Sequence, residues 1–342
     1  MEILSNVPAI ILLVVVVAFL GYTGFRLGLP FLVRRIAGLV FVLLSVSIIT
    51  FLLGKAAPTN GIDGQLAERW TPARAALLYH HYGLDKSWLE QYGDFLTRLL
   101  HFDLGESWTI RGASVNEMIA RQLPASLLLG GFAILLAVTV GVSTGLFAAF
   151  RSNTRYDTAV QTSALFFFAL PTFVLVPFYR VAMTWLYNND LPHLPVTSSD
   201  FGFSHPEEMI APILIYSAIQ IAFFVRITRT STLEVLRQDY VRTAKAKGLS
   251  NRTVVWRHTF RNAMIPLITA IGPALALIVN GAFITEALFN IPGIGFTALS
   301  AISNNDFPIL EGTVIILAVS VVFMNLVSDV LYGVVDPRIK SA

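Results

Sequence analysis

Residues of the types that do chemistry are sparse in this 342-residue sequence. There is no Cys, which excludes disulfides, thiolate metal sites and cysteine nucleophiles. No HExxH helix, no nucleophile elbow and no phosphate-cradling Gly-x-x-x-x-Gly-Lys-Ser/Thr loop occurs, so the chain has no visible means of hydrolysing a nucleotide. Gly54-Lys55 lacks both the upstream Gly and the following Ser or Thr of such a loop. His80, His81 and His101 could bind a transition metal. Adjacent histidines on a polar stretch read as surface, and no metal site is expected. Arg180, Glu286, Glu311 and Asp329 are the ionisable residues inside apolar stretches. Such a residue is a functional candidate by default, but here anchoring between helices or snorkelling is the expected role. An ion-coupled carrier needs ion-binding groups near the midplane, and an intramembrane enzyme needs an acid pair or a nucleophile with its base; neither set is visible. The densest charge is instead one island, Arg226 to Asn262, with nine Lys or Arg against two acidic residues. Its chemistry is that of a docking surface.

The rest of the chain explains how such an island is placed. The sequence is 55% hydrophobic and 13% charged, with mean hydropathy +0.68, whereas soluble domains carry roughly 25% charged residues. This is an all-α polytopic membrane protein. The net charge of +3 does not argue for nucleic acid, because membrane proteins collect Lys and Arg in cytoplasmic loops. The first apolar run, about 8–25, follows Glu2 without a basic residue or a small-x-small cleavage pattern, so it reads as a retained helix, not a signal peptide. Further spans are expected at about 36–53, 123–150, 159–187, 209–225, 263–289 and 309–335, seven in all. Between the second and third, Lys55 to Gln122 turns polar, with seven basic and eight acidic residues. The pieces Pro72 to Tyr82 and Ser87 to His101 are predicted as short helices, with Gly83 and Gly105 as stops.

Charge counting gives an orientation. The connector with Arg26, Arg34 and Arg35, the loop with Arg151 and Arg155, the island, and Arg338 with Lys340 hold 16 of the 24 basic residues. The intervening short loops, about 188–208 and 290–308, hold none. The positive-inside rule then predicts a cytoplasmic island and C-terminus, an external N-terminus and an external 55–122 loop, which at more than about 60 residues does not itself vote. Gly141-x-x-x-Gly145, with Gly130 and Gly131, lets a helix approach closely, within the chain or against another subunit. Pro171, Pro177 and Pro273 predict kinks.

Within the island, Ser231-Thr232-Leu233-Glu234 resembles a capping box. Leu233, Leu236, Tyr240, Thr243 and Ala244 then form one helical stripe. Gly248 ends that helix, Ser250 can cap the next, and Val255, Trp256 and Phe260 are its apolar residues. Ala244, Ala246 and Gly248 flank the turn with small side chains. Such a turn suits a knob entering a cleft on a partner protein, and equally a basic segment drawn to anionic lipid.

The run Tyr240-Val241-Arg242-Thr243-Ala244-Lys245-Ala246-Lys247-Gly248-Leu249-Ser250 resembles the EAA signature of permease subunits in ABC-type importers, B-type, of the dipeptide/oligopeptide/nickel branch. Gly83-Leu84-Asp85, Gln91-Tyr92, Asp103 to Ser107, Glu286-x-x-Phe289-x-x-Pro292-Gly293-x-Gly295 and Asn325-x-x-x-Asp329-x-x-Tyr332-x-x-x-Asp336-Pro337-Arg338 look like that branch in the same order. His258-Thr259-Phe260-Arg261 stands where the general signature has Ile-x-Leu-Pro, which favours the peptide-type branch. The resemblance implies a six-span core from about residue 31, divided into 31–122 and 123–336, with 337–342 as a cytoplasmic tail and 1–30 as an added helix. It implies a C-type permease partner, two cytoplasmic ATPases that bind ATP and Mg, and an external substrate-binding protein. Arg242 to Ser250 would couple to an ATPase, and Glu286, Phe289, Pro292, Gly293, Gly295, Asn325, Asp329 and Asp336 would be structural or gate residues. Peptide is the expected cargo, with nickel or another small solute as the alternative within the branch.

Overall fold

The computed structural model describes residues 29–56, 71–250, 253–280 and 282–335. The expected span at 8–25, Asp336 and the tail 337–342 lie outside these residues. Regular structure among the described residues is helical, with two isolated β-bridges. Backbone polar groups in lipid must be satisfied within their own segment, which long runs of Leu, Ile, Val, Ala and Phe achieve as helices.

In chain order these are α1 (Leu29–Ala56), α2 (Pro72–His81), α3 (Trp88–Leu100), α4 (Val115–Phe150), α5 (Arg155–Ala169), α6 (Thr172–Asn188), α7 (Pro206–Leu236) and α8 (Asp239–Ala246). A π-helical stretch, Val254–Phe260, leads into α9 (Arg261–Asn280), followed by α10 (Phe283–Phe289), α11 (Ile294–Ser303) and α12 (Phe307–Val335). Four are long and apolar enough to cross a membrane among the described residues: Ile36–Ala56 within α1, α4, α7 and Phe307–Ser328 within α12. The stretch expected as one span over 159–187 is instead α5 and α6, bent by 100° around Leu170-Pro171; the pair would make a fifth. Proline has no N–H to continue the helix and disfavours the α conformation before it, and Leu170 is extended at φ −89°, ψ 114°. The stretch 263–289 is likewise divided, into α9 and α10.

The chain divides into two compact units. One comprises Met1–Pro124 with Pro292–Ser320, the other Ala125–Ile291 with Val321–Ala342. In the first, α3 lies against α1: the Ser47 and Tyr92 hydroxyls share a hydrogen bond of 2.9 Å, and the Lys55 ammonium donates to the Gln91 side chain. Both predicted short helices form here, α3 with a full Ser87–Glu90 capping box. Gly83 closes α2 in the left-handed region at φ 66°, as expected. Gly105 does not close α3: the helix ends at Leu100, and Phe102 takes the left-handed position at φ 57°.

In the second unit the two glycines of α4 meet α7. A Cβ on Gly141 would stand 2.6 Å from the Phe224 Cβ, and one on Gly145 would stand 2.6 Å from the Val225 carbonyl oxygen. The small-residue motif therefore packs inside the chain. A buried core of Ala125, Leu129, Val176, Met209, Phe289 and Ile291, among others, joins α4, α6, α7 and α10.

Candidate functional site

The island does not start where its sequence suggests. Ser231 is buried inside α7, which continues to Leu236, so Ser231 to Glu234 is no capping box. Arg226 and Arg229 belong to that helix too. The Arg226 guanidinium lies 5.3 Å from the Phe168 ring centre, and Arg229 pairs with Asp157. The deciding signal is tertiary: α7 has cover on α5, which outweighs a local cap.

The chain leaves α7 at Arg237 and turns through an extended Gln238 (φ −70°, ψ 145°) into α8. The predicted stripe from Leu233 to Ala244 is therefore split across two helices. Asp239 stands in the first turn of α8 and Lys245 in the last, each matching the helix dipole. Its buried face is short. Val241, Ala244 and Val254 form a small core, flanked by Val235 and Leu236, which seats α8 on the end of α7 and the start of the π-helical stretch. Ala244 thus faces inward and is not part of the surface a partner would meet.

The end of α8 is built as the sequence predicts. Gly248 is left-handed at φ 75°, its N–H donates to the Lys245 carbonyl at 3.0 Å, and the Leu249 N–H reaches back to the Ala244 carbonyl at 3.3 Å. This doubly bonded ending satisfies carbonyls that the helix leaves open. Ser250 opens the next segment, its hydroxyl accepting from the Thr253 N–H at 3.3 Å. Val254 is buried, but Trp256 is exposed and packs edge-on to Phe260 at 5.0 Å.

What projects is a compact cationic turn. Arg242, Thr243, Lys245, Ala246, Lys247, Gly248, Leu249 and Ser250 are all exposed, with Tyr240, Trp256 and Arg257 beside them. A Cβ on Gly248 would meet nothing within 4 Å. Among the described residues the ion contact of Arg242 is a long one to Asp239, 3.7 Å with both side chains in solvent, which is worth little. Its charge is thus available to a partner.

The other motif residues separate by role. In the second unit Glu286 and Phe289 are fully buried, and Asn290 ends α10 in the left-handed region at φ 57°. Arg180 of α6 donates to the Leu288 carbonyl and, at 3.3 Å, to the Val196 carbonyl. It is an anchor between elements, as expected. In the first unit Gly293 and Gly295 are buried, Pro292 is exposed, and Thr297 donates to the Gln122 side chain. Asn325 is exposed on α12, and Asp329 lies on the same helix. Among the described residues no group of His, Asp and Glu is arranged to hold a metal. His80 pairs with Asp85 at 2.8 Å and His81 lies 3.7 Å from Glu106. The His80 imidazole holds the Asp85 carboxyl below its ordinary range.

Two polar centres have no mark in the sequence. The buried Asp306 carboxylate gathers the Ser107 to Thr109 turn, and the buried Asp157 carboxylate receives Arg229.

Apolar helices long enough to cross a bilayer, joined by an exposed cationic turn, define a multi-pass membrane protein. The chain belongs to the family described as binding-protein-dependent transport system inner membrane component, whose model matches residues 141–341. A companion model, binding-protein-dependent transport system membrane component, N-terminal, matches residues 28–130. The di/tripeptide transport system permease protein DppB of Pseudomonas aeruginosa is 34% identical over 334 residues, covering 91% of this chain and 99% of that protein. The dipeptide transport system permease protein DppB of Bacillus subtilis is 33% identical, covering 91% and 97%. The oligopeptide transport system permease protein OppB of Salmonella typhimurium is 32% identical, covering 91% and 99%.

Proposed function

We propose that this chain is a permease subunit of an ATP-driven importer that carries peptides across the cytoplasmic membrane, and that the turn from Arg242 to Ser250 is where a cytoplasmic ATPase engages it. The observation that carries the reading is the exposed turn itself, a rigidly ended α8 seated on the foot of α7 with the side chains of Arg242, Lys245 and Lys247 exposed. A short helix with its own small core can be pushed as a rigid body, which is how closure of a partner would reach the membrane helices. The peptide assignment draws on the three relatives named for di/tripeptide, dipeptide and oligopeptide transport.

In this arrangement the chain hydrolyses no nucleotide. ATP and Mg sit on two ATPase subunits, a C-type permease completes the path, and an external binding protein delivers the peptide. The N-terminus and the 55–122 loop face outward, and the C-terminus faces the cytoplasm.

The test is reconstitution of the five-subunit complex in liposomes, with uptake of labelled peptides and of nickel followed against ATP hydrolysis. Peptide uptake that requires ATP is the expected result. Arg242→Glu with Lys247→Glu should leave insertion intact and lower peptide moved per ATP. Uptake in the absence of ATPase subunits, or selective uptake of nickel, overturns the reading.

A further inference from the structure

The Asp157–Arg229 pair lies where a push on α8 would enter the bundle. Helix α7 runs unbroken to Leu236, and α8 begins at Asp239. Arg229, about two turns before the end of α7, sends both arms of its guanidinium to one carboxylate: Nε to Oδ1 at 2.6 Å and Nη2 to Oδ2 at 2.8 Å. The receiving Asp157 side chain is 3% exposed. It also accepts from the Asn153 N–H at 2.9 Å and the Gln161 side chain at 3.1 Å, while its own N–H donates to the Thr154 hydroxyl at 3.4 Å. Asp157 is thereby locked to the loop before α5 and to the next turn of α5. One turn earlier on α7, Arg226 lies over Phe168 near the other end of α5.

A buried ion pair is weak evidence for stability, because apolar residues of similar volume serve as well. What a forked pair supplies is direction: two parallel bonds fix an angle as well as a distance. We propose that Asp157 and Arg229 form a strut that makes α7, the coupling turn beyond it and the head of α5 move as one body. Without it, a push on α8 would be dissipated in sliding the foot of α7 past α5. The proposal rests on the coupling role given above to Arg242 through Ser250. Asp157 and Arg229 are positioning residues and touch neither ATP nor solute.

This chain holds no Cys, so labels can be placed in it without removing any of its own residues. Thr158→Cys on α5 and Glu234→Cys on α7, both exposed positions, would carry spin labels in the full complex, measured without nucleotide and with ATP bound. The expected result is one unchanged distance in both states, and a distance that shifts or broadens with ATP once Arg229→Lys removes the fork but keeps the charge. Arg229→Lys and the isosteric Asp157→Asn should each lower solute moved per ATP by roughly 2- to 30-fold, the range over which residues along a coupling path act. A distance that changes with ATP in the otherwise native protein overturns the strut, and that readout needs no variant of the pair to fold. Native transport per ATP in an assembled Arg229→Lys complex also overturns it. If Arg242→Glu with Lys247→Glu uncouples while Arg229→Lys does not, the strut alone fails. Native coupling in the Arg242/Lys247 variant means the coupling reading itself is wrong.

Discussion

The Asp306 carboxylate accepts the Ser107 hydroxyl at 2.5 Å, although the two residues are 199 positions apart. The same carboxylate receives the Trp108 N–H at 3.2 Å, the Thr109 N–H at 3.1 Å and the Thr109 hydroxyl at 2.6 Å. Asp306 and Ser107 are both buried, and the Trp108 ring packs on Phe307 next to the acid. One side chain therefore organises the polar turn before α4. Asp306→Ala removes the shared acceptor, and the buried Ser107 hydroxyl loses its carboxylate partner at a cost of about 1–3 kcal/mol. A lower melting temperature in detergent and faster proteolysis within 103–114 are expected. Asp306→Asn keeps an acceptor oxygen and should fall between. A native melting curve for Asp306→Ala would remove the turn's dependence on this acid.

The two glycines of α4 make a second prediction with its own control. Gly145→Ala would set a Cβ 2.6 Å from the Val225 carbonyl oxygen and 2.8 Å from the Thr228 Cβ, so α4 and α7 must separate. Overpacking of this kind costs about 1–3 kcal/mol. A Cβ on Gly131, in the same helix, would have nothing within 4 Å, and Ala there gains helix propensity of up to about 1 kcal/mol. Thermal melts of the two purified variants should move in opposite directions.

These features show where a sequence speaks and where it is silent. Gly248, Ser250 and Gly141-x-x-x-Gly145 are legible because their residue types are needed for local reasons, a left-handed backbone, a cap and a close approach. Ser231 to Glu234 misleads for the same reason. Its spacing is right for a cap, but α7 has a neighbour on which to continue, and Ser231 is buried in mid-helix. Ala244 has the small side chain of a knob residue, yet its contact with Val241 and Val254 turns it inward. Asp157 with Arg229 and Asp306 with Ser107 join residues 72 and 199 positions apart, and no local pattern marks either partner. Pro171 foreshadows the sharp bend between α5 and α6, but a proline announces a break without giving its angle.

Acid should loosen the start of α3. The Ser87 N–H, and after it the Ser87 hydroxyl, hold the Glu90 carboxyl below the usual glutamate range, with contacts of 3.0 and 2.9 Å. A carboxyl depressed on folding contributes stability that is complete above its ordinary value of about 4.3 and is lost as pH falls through the lowered one. Amide exchange over the first turn of α3, corrected for intrinsic rates, should therefore rise through that window. Glu90→Gln, which cannot titrate, should show no such rise. Identical pH profiles for the two proteins would mean that the capping carboxylate contributes nothing there.

The proposed coupling role can be separated most sharply from the fold at Gly248. Its φ of 75° belongs to the left-handed region, and a Cβ there would meet open space. Any side chain at this position therefore costs only the backbone strain, about 1–2 kcal/mol for most residues and less for Asn, which tolerates the region. Gly248→Asn, Gly248→Ala and Gly248→Trp should all insert and keep the helical content of the native protein. Transport per ATP should divide them by size: near native in Asn and Ala, and lost in Trp, because an indole occupies the space an ATPase groove would need. A loss of equal size in all three would place the requirement in the backbone of the turn. Wild-type transport by Gly248→Trp would show that no partner closes over Gly248, and the coupling site would have to be sought elsewhere on the exposed basic surface.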